Sequence, residues 1–70
     1  MRDPKRIRKF CNRLANAWEL LPDWRFGQLI MNILGQMAGD GRDPFFQEDE
    51  ATIQYVEEYI EKYTGVSLSD

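Results

Sequence analysis

Four basic side chains near the N-terminus have the residue types and the spacing to bind phosphate groups. They are Lys5, Arg6, Lys9 and Arg13. Residues three and four apart share one side of a helix, so in a helix these four form a basic stripe. Such a stripe can neutralise the phosphates of a nucleic acid. Nucleic-acid binding through the basic stripe is therefore one hypothesis for the function.

The distribution of charge along the chain weighs against that hypothesis. Residues 1–35 contain seven Lys or Arg and three Asp or Glu, whereas residues 36–70 contain two and nine. The net charge is −3, and the stripe has few neighbours that could read bases. Because the second half of the chain is strongly acidic, the basic stripe could instead form ion pairs with it, or simply be solvated.

Acidic side chains of the second half form another candidate surface. Glu50, Glu57, Glu58 and Glu61 are spaced to face outward from a third helix. They could imitate a nucleic-acid backbone and bind a basic partner, or they could only keep the helix solvated. Glu57 and Glu61 lie four residues apart, but nothing in the sequence buries them. A catalytic or cation-binding carboxylate pair is therefore not expected.

The sequence lacks residues on which many reactions depend. It contains no histidine and one cysteine, Cys11, which removes histidine-based acid–base pairs, triads and metal sites. The acidic residues do not have the spacing of a calcium loop. Cys11 lies on an apolar stripe with Ile7, where we expect it to be buried and unreactive. We therefore expect a protein that is not an enzyme and uses no cofactor or metal.

Helix-starting and helix-ending residues divide the chain into three predicted helices. They lie near residues 4–21, 24–38 and 48–64. Asp3 and Pro4 suit the start of the first helix, and Pro22 ends it. Asp23 is the predicted cap of the second helix, and Gly65 ends the third. Since no strand pattern is present, we predict an all-α fold, a compact three-helix domain spanning residues 1–70.

The second predicted helix is almost uncharged. Between Trp24 and Ala38, Arg25 is the only charged residue. A helix that is apolar or small nearly all round is usually buried. We therefore predict a central apolar second helix, with Phe26 on its inward stripe and the other two helices packed against it.

One flank of this helix has two alternative interpretations. Trp24 and Met31 are seven residues apart, which places them on the same side of a helix. The flank could bind a partner protein or a second copy of the chain, since Trp and Met are enriched in such contacts. Alternatively, Phe45 and Phe46 of the following loop could cover it.

Two segments of the chain resemble known families. Residues 17–30 (AWELLPDWRFGQLI) and 43–53 (DPFFQEDEATI) are similar to small uncharacterised proteins of Gram-positive bacteria and their phages. A weaker similarity, to YihD-like proteins, rests on Ala17, Trp18, Pro22, Asp23, Gln28, Leu29 and Ile30. Neither family brings a known activity. The resemblance implies a compact helical domain.

The polar residues of the shared motif are the ones to test for function. Arg25, Gln28 and Asn32 are roughly a turn apart on one helix face. We predict that Arg25 bridges to Asp43 or to the acidic residues 48–50, which would tie the loop to the second helix.

These observations favour a non-enzymatic protein-binding module, such as a phage or mobile-element accessory that inhibits or modulates a host protein. The predicted partner-binding residues are Trp24, Arg25, Gln28, Met31, Asn32, Glu50, Glu57, Glu58 and Glu61. The alternative is the nucleic-acid-binding protein described above. No apolar run approaches the ~20 residues of a membrane helix. We therefore expect no membrane partner and a cytoplasmic location, and a homodimer is compatible with the sequence.

Overall fold

Three helices follow one another along the chain in a computed structural model that describes residues 2–68. They are α1 (Lys5–Trp18), α2 (Phe26–Gly39) and α3 (Asp49–Thr64). No strand occurs within residues 2–68. The predicted all-α, three-helix fold is therefore confirmed.

The first helix begins as predicted but ends three residues early. The Asp3 carboxylate accepts a hydrogen bond from the Lys5 amide at 2.9 Å, and this satisfies one free amide of the first turn. After Trp18 the chain tightens, because the amides of Leu20 and Leu21 bond to carbonyls only three residues back, at 3.1 and 2.8 Å. The helix therefore ends at Trp18, before Pro22 can act as its terminator.

The second helix begins two residues later than predicted, and Asp23 does not cap it. Arg25 precedes the first turn, and its amide donates to the Gln28 side-chain oxygen at 2.8 Å. Trp24 is held outside the helix, because its carbonyl accepts a 2.9 Å hydrogen bond from the Trp18 indole. The third helix ends as predicted at Gly65, which adopts the left-handed conformation at φ 77°.

The core lies where α3 meets the other two helices. Its buried side chains are Ala17, Leu29, Ile33, Met37, Ile53, Val56 and Ile60. The prediction of a central second helix is wrong: α3 packs against both α1 and α2, most closely against α1, while α1 and α2 make the least contact. Ion pairs and apolar packing both join α1 to α3, whereas α2 contributes only one apolar side.

Several side chains predicted to face the core are exposed instead. Ile7 and Phe26 are 50% and 55% exposed, and Cys11 is exposed as well. The inward side of α1 is centred on Phe10, Leu14 and Ala17. Ile7 is on the same side but in the first turn of the helix, whereas Cys11 lies beyond the edge of this side. Phe26 is in the first turn of α2, where the Trp18 ring lies against it at 5.7 Å between centroids. Within residues 2–68, no helix combines the length and hydrophobicity needed to cross a bilayer.

Candidate functional site

Two of the four residues of the basic stripe, Arg6 and Arg13, form ion pairs with α3. Arg13 lies between two carboxylates: it donates to Glu57 at 2.7 and 3.0 Å and to Glu50 at 2.9 and 3.0 Å. Arg2 pairs with Glu48 at 3.2 Å, and Arg6 pairs with Asp49. The four ion pairs found among residues 2–68 join α1, or the residues just before it, to α3 or the residue just before it.

Protonation equilibria reflect this pairing. The hydrogen bonds that Arg13 donates to Glu57 and then to Glu50 raise the pKa of Arg13 above its ordinary value. The Arg13 guanidinium in turn lowers the pKa of Glu50. The guanidinium groups of Arg6 and Arg13 are already paired with carboxylates, which would compete with a phosphate. Within the described residues, only Lys5 and Lys9 of the stripe make no ion pair.

A groove between α1 and α3 is lined by these charges. Its apolar residues are Phe10 and Ile53, and its rim carries Arg2, Arg6, Lys9 and Arg13 opposite Glu48, Asp49 and Glu50. The two signs largely neutralise each other, so the groove does not select a highly charged ligand of either sign. In residues 2–68 no cluster of His, Cys, Asp and Glu is arranged to hold a metal ion.

The predicted acidic surface is divided. Glu50 and Glu57 are used by Arg13, and Glu61 accepts the Leu68 amide at 2.6 Å. Glu58 alone of the four is exposed and takes part in no ion pair of the described residues. The structure therefore does not bring these four carboxylates together as one free surface.

Trp24 and Met31 do not form a common flank. Trp24 lies before α2, and its half-buried ring contacts Tyr63 edge-on at 5.2 Å between centroids. Met31 is on α2 and is 75% exposed. Helical spacing therefore does not relate them, and Trp24 serves the internal packing of the corner between α1 and α2.

The prediction that Arg25 bridges to the acidic loop is wrong. Arg25 is exposed and forms no ion pair among the described residues. The carboxylates at 48–50 are taken by arginines from α1 and its N-terminal flank, and the Asp43 side chain accepts the Phe45 amide. Gln28 caps α2, while Asn32 is exposed.

Phe45 and Phe46 cover nothing. They are 85% and 78% exposed, and their rings contact each other edge-on at 4.9 Å between centroids. The interpretation that they cover the flank of α2 is therefore wrong.

The loop that carries this aromatic pair is held by several contacts. The Asp43 carboxylate accepts the Phe45 amide at 2.9 Å, and the Asp43 carbonyl accepts the Phe46 amide at 3.1 Å. Arg42 donates to the Gln47 side chain at 2.8 Å and lies over the Tyr55 ring at 5.2 Å. The aromatic pair is thus displayed from an ordered turn.

A hydrogen bond from α3 fixes the start of the same loop. The Tyr55 hydroxyl donates to the Asp40 carboxylate at 2.7 Å, which also accepts from Gln36 at 3.1 Å. These hydrogen bonds, Tyr55 first, lower the pKa of Asp40. Desolvation, followed by the bond to Asp40, raises the pKa of Tyr55. The residues around the aromatic pair are therefore anchored to α3.

Replacing Tyr55 by phenylalanine will lower the urea midpoint of unfolding at pH 7, because Asp40 loses a donor. Since the folded-state pKa of Tyr55 is raised, its contribution is present below the unfolded value of 10.0 and lost as pH rises through the folded value. The difference between wild type and Tyr55→Phe should therefore shrink at strongly alkaline pH. Tyr63→Phe, whose hydroxyl has no hydrogen bond in residues 2–68, is the matched control and should leave the midpoint unchanged.

No protein-family model, curated protein or solved structure matches this chain, so its function is inferred from its own residues.

Proposed function

We propose that the protein is a non-enzymatic protein-binding module whose anchor is the aromatic pair, Phe45 and Phe46. The observation that carries the proposal is that both rings stand in water at 85% and 78% exposure. Large aromatic side chains are enriched among the residues that dominate binding energy at protein interfaces. A partner that buries both rings would remove from water the two most exposed large apolar side chains in the described part of the chain.

Burial of the aromatic pair would supply a substantial favourable contribution to binding. Two phenylalanines expose on the order of 300 Å² of apolar surface. At ~25 cal/mol per Å², burying that area contributes roughly 7 kcal/mol before the costs of association. A partner with an apolar pocket for both rings would be matched to this surface.

The ordered loop adds to the proposal. The Phe45 amide donates to the Asp43 carboxylate, and the Phe46 amide donates to the Asp43 carbonyl. Arg42 is held between Gln47 and the Tyr55 ring. Binding then has little backbone freedom to remove, which preserves more of the burial energy as affinity. This organisation favours a docking role over a loop that is exposed without purpose.

The biological setting of this proposal comes from the sequence resemblance. The similarity of residues 17–30 and 43–53 to small proteins of Gram-positive bacteria and their phages favours a phage or mobile-element accessory that modulates a host protein. A cytoplasmic setting accompanies it, in which the single thiol of Cys11 stays reduced.

The test compares proteins captured by three immobilised forms of the chain in lysate of the host cells. Wild type and a matched control, Ile7→Ser with Val66→Ser, should retain a common partner that Phe45→Ser with Phe46→Ser loses. For the purified partner we expect at least a roughly 100-fold weaker dissociation constant, which corresponds to the loss of two anchor rings. The thermal midpoint should be unchanged, because neither ring packs in the core.

Two results would count against this function. The first is a double phenylalanine variant that keeps every partner of the wild type. The second is duplex DNA binding that weakens steeply with salt and is lost in Lys5→Gln with Lys9→Gln, which would favour the nucleic-acid alternative.

A further inference from the structure

The outer side of α2 is a solvent-facing helix surface without charge. The helix Phe26–Gly39 contains no Asp, Glu, Lys or Arg. Its exposed residues are Phe26, Gly27, Gln28, Met31, Asn32, Gly35, Gln36, Ala38 and Gly39. Helix surfaces that face water normally carry charged side chains, as the outer sides of α1 and α3 do here. Met31, at 75% exposure, is the largest apolar side chain near the middle of this surface.

The shape of this surface is complementary to itself. Met31 and Gly35 are one turn apart on the same side of α2. A Cβ added at Gly35 would meet no atom within 4 Å, so packing inside one protomer does not require the glycine. If two α2 helices pair antiparallel about a twofold axis level with Ile33, each Met31 meets Gly35 of the other copy, and Gly27 meets Gly39. The protruding residue of one copy then fills the flat position of the other.

The charge pattern of α2 suits a second copy of the chain. In a twofold interface a surface patch meets itself, so a charged residue near the axis faces a like charge. The chain carries a net charge of −3, and α2 is the helix that lets two copies meet without that repulsion. Gln28, Asn32 and Gln36 each offer a donor and an acceptor, so amides can pair with amides across the axis.

From these observations we propose that the outer side of α2 is the interface of a symmetric, antiparallel homodimer. The helix has 14 residues, and at 1.5 Å per residue the contact is about 21 Å long. That footprint is at the small end of specific interfaces, so the dimer is reversible and forms at micromolar or higher concentrations. The aromatic pair is a separate surface and stays available for the partner discussed above.

The experiment is sedimentation equilibrium on purified protein up to about 1 mM, where complexes as weak as −4 kcal/mol are detected. Wild type should show a reversible dimer. Met31→Glu should weaken dimerisation at least roughly 10-fold by placing like charges near the axis. Asn16→Glu, which makes the same change of charge at an exposed position of α1, should leave the dimer intact. Thermal unfolding of each variant verifies that it is folded.

A mixture provides the sharper version of the test. Met31→Glu and Met31→Lys are each expected to be mainly monomeric, and mixing them should restore association as a one-to-one heterodimer, because the two positions lie close together across the axis. Three outcomes would overturn the proposal: a wild type that is monomeric throughout, a dimer unaffected by Met31→Glu, and a dimer dissolved only by Phe45→Ser with Phe46→Ser. The last outcome would assign self-association to the aromatic pair.

Discussion

Replacing Ile60 by alanine is expected to lower the thermal midpoint by roughly 10–30 °C. Ile60 is fully buried at the centre of the core on α3, the helix that contacts both others. Truncating such a side chain costs about 2–5 kcal/mol. A 70-residue domain has a total stability of only ~3.5–10 kcal/mol, so this one change removes a large part of it. Differential scanning calorimetry of the purified variant measures the effect.

The matched control is Ile7→Ala, the same substitution in a helix. Ile7 is half exposed, so it loses little buried area, and we expect a shift of no more than a few degrees. Equal shifts for the two variants would contradict the described core. Hydrophobic periodicity alone treats these isoleucines as equivalent, which makes the pair a direct test of the structure.

Replacing Arg13 by glutamine is expected to lower the thermal midpoint by roughly 4–8 °C at low ionic strength. Arg13 holds Glu50 and Glu57 together by four hydrogen bonds. Without it the two carboxylates keep their charge and lose their shared partner, and α1 loses two ion pairs with α3. The effect should shrink in added salt, because ions screen exposed pairs. Arg8→Gln, at an exposed position with no ion pair in the described chain, should change the midpoint little.

The same variant should alter the acid response. Arg13 lowers the folded-state pKa of Glu50 below its ordinary 4.5. The stabilisation is therefore present above the unfolded value and lost as pH falls through the folded one. Wild type should lose stability on acidification below about pH 4.5 more steeply than Arg13→Gln. Parallel curves for the two proteins would show that the Arg13 pairs contribute nothing to stability.

The sequence predicted the ends of the helices well where local backbone chemistry determines them. Asp3 with Pro4 and the glycine at 65 marked real ends, because caps and φ preferences act locally. The corner between α1 and α2 was not predictable in this way. There the Trp18 indole bonds to the Trp24 carbonyl, and this contact between residues six apart moves both helix ends.

The packing arrangement of the helices was harder to predict from the sequence. An uncharged α2 has two explanations, burial on all sides or one covered side and one neutral outer side, and composition does not separate them. Periodicity likewise identifies the direction of the apolar face without showing where the neighbouring helix stops. That is why Ile7, Cys11 and Phe26 were assigned to the core and are exposed.

The candidate site was anticipated only in part. Pairing between the basic stripe and the acidic half followed from charge, and the structure supplies the partners for Arg6 and Arg13. The exposure of Phe45 and Phe46 was missed, because hydrophobicity argued for burial while the contacts that hold the loop outward involve Asp40 and Tyr55, 15 residues apart. Such a contact leaves no periodic trace in a single sequence.

The order of the helices also bears on how the chain folds as it is synthesised. The ribosome releases α1 and α2 before α3. These two helices make little contact with each other, and both pack mainly against α3. We therefore expect the core to form only after α3 has emerged from the ribosome, at synthesis rates of about 5–20 residues per second. During that interval the uncharged, partly apolar segment 26–39 lacks the α3 side chains that bury its inward side, and it is therefore open to chaperones.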